Sequence, residues 1–273
     1  MLESLLQYEF VRNAVYAGIL ASVVCGLLGP YIVVKRIVFI SGGISHASFG
    51  GVGLGYLLGG SPILGAMGFA VASALGIGVV SRRFRQQEDA VIGIVWAVGM
   101  ALGVVFIALK PGYAPNLLSY LFGSILTVTS SDLALMLTVT GVTALTILLL
   151  YKEFLALAFD EEYAWTAGVP VEPLYLTLLA LIGLTVVILM RVVGIILLIA
   201  LLTIPASISL QYTYNMKKMM VLSTLLGAAF TLGGLTLSYY VNLPPGATII
   251  LLAAANHLAA NLHQKLEKHH KNR

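Results

Sequence analysis

Long apolar runs, each close to the length of one bilayer crossing, follow one another along almost the whole chain. A membrane-spanning helix needs about 20 mainly apolar residues, and nine segments match that length to within a few residues. They are residues 13–34, 37–59, 63–80, 90–109, 131–150, 174–190, 192–210, 220–240 and 246–263. Two of them are short or meet at a tight junction, so eight crossings stay open. The pattern predicts an all-α polytopic membrane protein with one transmembrane domain over residues 1–273.

The composition agrees with this class. Hydrophobic residues make up 59% of the chain, charged residues only 10%, and the mean hydropathy is +0.99. In a typical soluble domain, about a quarter of the residues are charged. The single cysteine, Cys25, excludes an intrachain disulfide framework. No phosphate-binding sequence G-x-x-x-x-G-K-[ST] occurs, so ATP-driven transport would need its motor in another chain.

The positions of the positive charges predict the topology, because Lys and Arg accumulate in cytoplasmic loops. If the N-terminus lies outside and nine helices cross, only Arg12, Lys110 and Arg191 of the fifteen Lys and Arg residues face outwards. We therefore expect the N-terminus outside and the C-terminus in the cytoplasm. The twelve that face inwards are Lys35, Arg36, Arg82, Arg83, Arg85, Lys152, Lys217, Lys218, Lys265, Lys268, Lys271 and Arg273.

His46 lies in the middle of the second apolar segment, ten residues after Arg36. Ten helical residues span about 15 Å, which is half of a hydrocarbon core roughly 30 Å thick. An ionisable side chain at that depth usually marks an ion path, a gate or an interhelical hydrogen bond. Gly42 and Gly50 share its helix face at i−4 and i+4, and small residues of this kind let helices approach closely. Gly42, Ser45 and Gly50 are accordingly candidates to line a path with His46.

A second informative segment lies between the fifth and sixth spans. Asp160 suits a helix N-cap, and Glu161 and Glu162 fall in the first turn, where the helix dipole favours acids. Gly168 suits the position after the helix end, and Pro170 follows it. The pattern predicts a short capped helix that either lies on lipid or docks into a partner protein. Because helices on a lipid surface usually carry a basic polar face, the acidic face favours docking.

Two further residues have local interpretations. Asp132 stands with serines at the start of the fifth span, where capping is the expected function and attraction of ions the alternative. Pro205 lies deep in the seventh span, where it removes a backbone donor and frees a carbonyl. Such breaks are tolerated in membranes where neighbours or cavity water satisfy the freed group, so Pro205 is a further candidate for lining a path.

Six segments, in order along the chain, resemble the membrane-spanning subunit of ATP-binding-cassette importers for zinc, manganese or iron(II). The resemblance covers nearly the full length. Its segments are Gly43–Ala47 (Gly-Ile-Ser-His-Ala), Glu88–Gly93 (Glu-Asp-Ala-Val-Ile-Gly), Ser119–Leu126 (Ser-Tyr-Leu-Phe-Gly-Ser-Ile-Leu), Phe159–Ala164 with Gly168, Leu201–Ala206 (Leu-Leu-Thr-Ile-Pro-Ala) and Leu243–Ile249 (Leu-Pro-Pro-Gly-Ala-Thr-Ile).

The resemblance implies a homodimeric permease with a type II importer fold, related to vitamin-B12 and siderophore permeases, in the cell membrane of a prokaryote. The permease itself would be non-catalytic and would bind no tight cofactor. A coupling helix at about 155–170 would seat in a cytoplasmic ATPase, and an extracellular or periplasmic protein would deliver zinc, manganese or iron. No nucleic-acid partner is expected. The coupling residues implied are Phe159, Asp160, Glu161, Glu162, Ala164 and Gly168.

The resemblance also places His46 on the metal path, and here the chain departs from the family pattern. Such permeases commonly have an aspartate four residues before this histidine, and this chain has Gly42. A His–Asp pair from each of two copies would supply four ligands suited to zinc or manganese. Two histidines alone would bind more weakly, favour a nitrogen-preferring ion, or act as a gate.

Three alternatives follow from the same residues. A permease of the same architecture for a metal chelate or other bulkier cargo would explain the missing carboxylate and the glycine-rich second span. An ion-coupled carrier would need carboxylates within the membrane, and the assigned spans have none away from their ends. An intramembrane hydrolase would pair Ser45 or Ser48 with His46, but adjacent helical residues point about 100° apart, which does not suit a nucleophile and its base.

Overall fold

The structure is a computed structural model that describes residues 8–110 and 123–271. Within these ranges all regular secondary structure is helical, which confirms the predicted all-α class. The helices are α1 (Glu9–Val34), α2 (Phe39–Leu57), α3 (Pro62–Arg83), α4 (Glu88–Leu109), a 3₁₀ turn (Ile125–Thr127), α5 (Ser130–Leu149), α6 (Tyr151–Phe159), α7 (Glu161–Thr166), α8 (Val171–Val193), α9 (Ile195–Tyr212), α10 (Met216–Val241) and α11 (Pro245–Lys271).

Each of the nine predicted spans coincides with one long helix. Eight of these helices are long and apolar enough to cross a membrane, and α2 is the exception because glycine, serine and histidine lower its hydropathy. The tight junction between the sixth and seventh spans is Gly194, which has φ of 84° and separates α8 from α9. The last helix continues to Lys271, beyond the predicted end at 263. Residues 119–122 of the Ser119–Leu126 segment lie outside the described residues.

The described residues are organised as two compact units. The first contains the described residues within 1–34, 122–144 and 192–273. In it α1 packs against α9 and α10, and α11 packs against the same two helices. The contact between α1 and α10 is close because Gly26 lies against the backbone of Thr224, where an added Cβ would stand 2.7 Å from its Cα.

The second unit contains the described residues within 35–121 and 145–191, and α2 is its central helix. Fourteen of the nineteen residues of α2 are buried. A Cβ at Gly51 would lie 2.1 Å from the carbonyl oxygen of Gly65 on α3, and one at Gly53 would lie 2.7 Å from that of Gly103 on α4. The small residues of α2 therefore allow backbone-to-backbone packing on two sides, as expected for small-residue rows in membrane helices.

Candidate functional site

His46 lies on α2 of the second unit and is half-buried among aromatic rings. Its imidazole stacks face to face on the indole of Trp96 from α4, with ring centroids 4.3 Å apart and planes within 4°. The Phe49 ring is 5.9 Å away and tilted. The Nδ1 atom of His46 is buried and has no hydrogen-bond partner among the described residues. The ring is thus held by stacking, while one nitrogen stays without a protein donor or acceptor.

The serines beside His46 bond to their own helix. The Ser45 hydroxyl donates to the carbonyl of Ser41 at 2.7 Å, and the Ser48 hydroxyl donates to the carbonyl of Ser45 at 2.6 Å. Such back-bonding is the usual behaviour of serine in membrane helices. Ser48 also lies 3.4 Å from the sulfur of Met190 on α8. Neither hydroxyl is directed to His46, so the arrangement does not supply the nucleophile–base pair of a hydrolase.

The described residues contain no group of three or more His, Cys, Asp or Glu side chains that could hold a metal ion. Gly42, one turn before His46, is buried and adds no ligand. Among the described residues, His46 is therefore not part of a cluster of three or more such side chains.

Gly50 packs tightly against other helices of its unit. An added Cβ would lie 2.8 Å from the Phe69 ring on α3 and 2.9 Å from the carbonyl oxygen of Gly99 on α4. This contact explains why the position holds glycine. Path lining by Gly42, Ser45 and Gly50 stays a prediction.

Pro205 belongs to the first unit, where it is buried inside α9. The helix runs through it without interruption, and its carbonyl accepts a hydrogen bond of 2.8 Å from Ser209. Ser223 on α10 donates in turn to Ser209 at 2.9 Å. Gly29 of α1 packs on the turn before Pro205, where an added Cβ would lie 2.5 Å from the Leu202 carbonyl oxygen. The surroundings are those of tight helix packing, and a role in the path stays a prediction.

Asp132 has the predicted capping function at the start of α5. Its Oδ2 accepts hydrogen bonds from the backbone N–H of Thr129 at 3.2 Å and from the Thr129 hydroxyl at 2.7 Å. The Asp132 N–H lies 3.3 Å from the same hydroxyl, so the two residues cap each other reciprocally.

Residues 151–170, called here the acidic segment, form two helices rather than the single helix expected at about 155–170. The chain breaks at Asp160, whose backbone is extended with φ of −152°. Its Oδ1 accepts the N–H of Tyr163 at 2.9 Å, which confirms the predicted N-cap of α7. The break follows from that cap, because an N-cap residue leaves helical geometry to present its side chain.

The end of α7 also matches its prediction. Gly168 has φ of 78°, its N–H donates to the Trp165 carbonyl at 3.0 Å, and the N–H of Val169 donates to the Ala164 carbonyl at 2.9 Å. This pair of bonds is the Schellman motif, and the left-handed residue is best supplied by glycine. The helix α7 is thus capped at both ends by residues of the acidic segment.

The exposed face of the acidic segment combines aromatic rings with carboxylates. Phe159 is 51% exposed, Tyr163 66% and Trp165 74%, and the side chains of Asp160 and Glu162 are exposed as well. Between them, Ala164 is fully buried. Large exposed aromatic side chains next to acids are a typical contact surface for a protein partner.

Glu161 differs from its two acidic neighbours because its carboxylate is paired within the protein. Nη2 of Arg82, from the last turn of α3, lies 3.0 Å from both Glu161 oxygens, and the Lys35 ammonium contacts Oε1. The Arg82 guanidinium stacks on the Tyr175 ring at 4.0 Å, and the Tyr175 hydroxyl donates to Glu88 at 2.6 Å. We call these five residues the charge cluster. Sequence reasoning missed it, because Lys35, Arg82 and Glu88 lie far from Glu161 along the chain.

Comparisons with known proteins extend over nearly the whole chain. The family model described as the ABC 3 transport family matches residues 7–264. An uncharacterized membrane protein of Synechocystis is 50% identical over 93% of this chain and 90% of its own length. The manganese transport system membrane protein MntC of Listeria monocytogenes is 36% identical over 92% of this chain and 90% of its own length. The solved PsaBC complex of Streptococcus pneumoniae with a Fab contains a chain that is 31% identical, with a TM-score of 0.83, over 95% of this chain and 93% of that one.

Proposed function

Because the chain belongs to the ABC 3 transport family, we propose that it is the permease subunit of an ATP-driven importer of divalent transition-metal ions, namely manganese, zinc or iron(II). The match of the family model to residues 7–264 is the observation that carries the proposal. The relative from Listeria monocytogenes is named for manganese transport, which makes manganese the first ion to test. The permease supplies the path across the membrane and performs no chemical step.

In this proposal two copies of the chain enclose the path, and His46 of each copy lies on it. The Nδ1 atom of His46 has no hydrogen-bond partner among the described residues, and imidazole is the commonest side-chain ligand of metal ions. Conduction requires binding that is weak enough to release the ion. One imidazole per copy, with Gly42 in place of a carboxylate, fits a transient ligand or gate better than a storage site.

If ATP drives the transport, as proposed, the ATPase is a separate chain, because this sequence contains no nucleotide-binding P-loop. We assign the docking of that ATPase to the acidic segment, where Phe159, Asp160 and Glu162 belong to the exposed face. Ala164 is buried in α7, and Gly168 ends that helix in a left-handed conformation. Reversal of charge at Asp160 and Glu162 should release the ATPase during purification, and unchanged co-purification would refute this assignment.

The topology that serves this function has the N-terminus outside and the C-terminus in the cytoplasm of a prokaryotic cell, as the distribution of Lys and Arg indicates. The acidic segment then faces the ATPase, and the opposite side receives the metal from an extracellular or periplasmic binding protein.

The test is ATP-dependent uptake into proteoliposomes that contain the permease, its ATPase and its binding protein. Radiolabelled free manganese, zinc and iron(II) are each compared with the same metal bound to a chelator. Uptake of at least one free ion supports the proposal. Uptake of the chelate alone would replace it with the alternative cargo, and uptake that continues without ATP would point to an ion-coupled carrier.

A further inference from the structure

The charge cluster joins the acidic segment to three long helices of its own unit. Glu161 is bound by Arg82, which ends α3, and by Lys35, which precedes α2. Lys35 also donates to the Leu157 carbonyl of α6 at 3.1 Å. The acidic segment is therefore attached through side chains at two points, one in each of its helices, in addition to its backbone connections.

The contacts of the charge cluster are withdrawn from water to different degrees. The Lys35 side chain is 10% exposed, that of Arg82 25% and that of Glu161 37%. Partly buried charge pairs are screened less by salt than exposed ones. Arg82 is itself held in place, since its guanidinium packs on Tyr175 of α8, which donates to Glu88 at the start of α4. A displacement of Glu161 would thus disturb side-chain contacts of α3, α8 and α4.

We propose that Glu161 is a positioning residue that transmits movement of the acidic segment to the membrane helices, and that it does not bind the ATPase. This inference rests on the proposed function, in which the exposed face of the same segment docks the ATPase. A segment held only by its backbone ends can tilt without moving its neighbours. Two charge-assisted contacts to one carboxylate remove that freedom, because they fix both distance and direction.

The attachment can be measured on the purified full-length protein in nanodiscs, without any transport. A spin label is placed at Thr166→Cys, an exposed position at the end of α7, and the native Cys25 is buried and should not react. Glu161→Gln should increase the mobility of the label, and Arg82→Gln should do the same. The double variant should add nothing to the effect of Glu161→Gln, because that change already removes the Arg82–Glu161 ion pair.

The matched control is Glu162→Gln, which removes an equal charge from the adjacent, exposed position. It should leave the label as in the parent protein. Equal mobility in the parent and in Glu161→Gln would overturn the proposal, as would an equal effect of Glu162→Gln.

The consequence for coupling is measured in the complete transporter as metal taken up per ATP hydrolysed. Glu161→Gln should lower this ratio while the ATPase still co-purifies, because movement of the acidic segment would no longer be transmitted through Arg82 and Lys35. Loss of co-purification would make Glu161 a docking residue and refute the inference, and an unchanged ratio would also refute it. If the parent protein shows no metal-coupled ATP hydrolysis, the proposed function fails, and the spin-label measurement still decides the attachment.

Discussion

The packing of α2 on α3 gives the sharpest prediction, because two glycines meet there backbone to backbone. An alanine at Gly51 would bring its Cβ to 2.1 Å from the Gly65 carbonyl oxygen and 2.6 Å from the Gly65 carbonyl carbon. Ordinary carbon–oxygen contacts lie near 3.3 Å, so the helices would have to separate by about 1 Å. Overpacking of this kind costs about 1–3 kcal/mol. Gly65→Ala should have the same effect, since its Cβ would meet the Gly51 carbonyl oxygen at 2.2 Å.

Gly68, which lies on α3 like Gly65, provides the control. It is exposed, and a Cβ there would meet nothing within 4 Å. Gly68→Ala should be neutral or stabilising by up to about 1 kcal/mol, because alanine is the better helix former. Unfolding by SDS titration in mixed micelles measures both variants. Equal stability of Gly51→Ala and Gly68→Ala would refute the close packing of α2 and α3. A lower uptake in Gly51→Ala would further link this packing to the placement of His46.

The remaining predictions concern the path and the acidic segment. His46→Ala should reduce metal uptake to near background while the ATPase still co-purifies, and normal uptake by a well-expressed variant would remove His46 from the path. Trp96→Ala loses a stacking contact worth about 0.5–1.5 kcal/mol and should lower uptake several-fold, whereas Trp96→Phe should keep most of it; equal uptake by the two variants would contradict a role for the stack. Asp160→Ala should destabilise α7 by about 0.5–2 kcal/mol and weaken ATPase co-purification, whereas Asp160→Asn should retain the cap; the comparison fails if alanine and asparagine behave alike.

The sequence predicted those features whose signals are local. A membrane helix can be predicted from a single run of apolar residues, and all nine predicted runs are helical in the structure. Asp160 and Gly168 were recognised because a cap depends on residues within one turn. The resemblance to metal-importer permeases was also correct at the level of the family.

Features that depend on pairing across the chain were not predictable in the same way. Lys35 and Glu161 are 126 positions apart, and Arg82 and Glu161 are 79 apart. In the sequence Lys35 and Arg82 served only to indicate topology, and Glu161 was grouped with two exposed acids. The stacking of His46 on Trp96 was missed for the same reason, since no local pattern relates a histidine of α2 to a tryptophan of α4. The break at Asp160 could have been foreseen, because a residue that caps one helix cannot lie inside another.

The polarity of α2 has a consequence for how the protein is made. Of the nine long helices, α2 has the lowest hydropathy, yet most of its residues are buried. Insertion of a nascent segment is governed by the transfer free energies of its own side chains, and glycine, serine and histidine contribute little to drive it. We therefore expect α2 to enter the bilayer late, together with α3 and α4, whose surfaces enclose it. The membrane insertion of α2, the helix that carries His46, would then depend on α3 and α4 during biosynthesis.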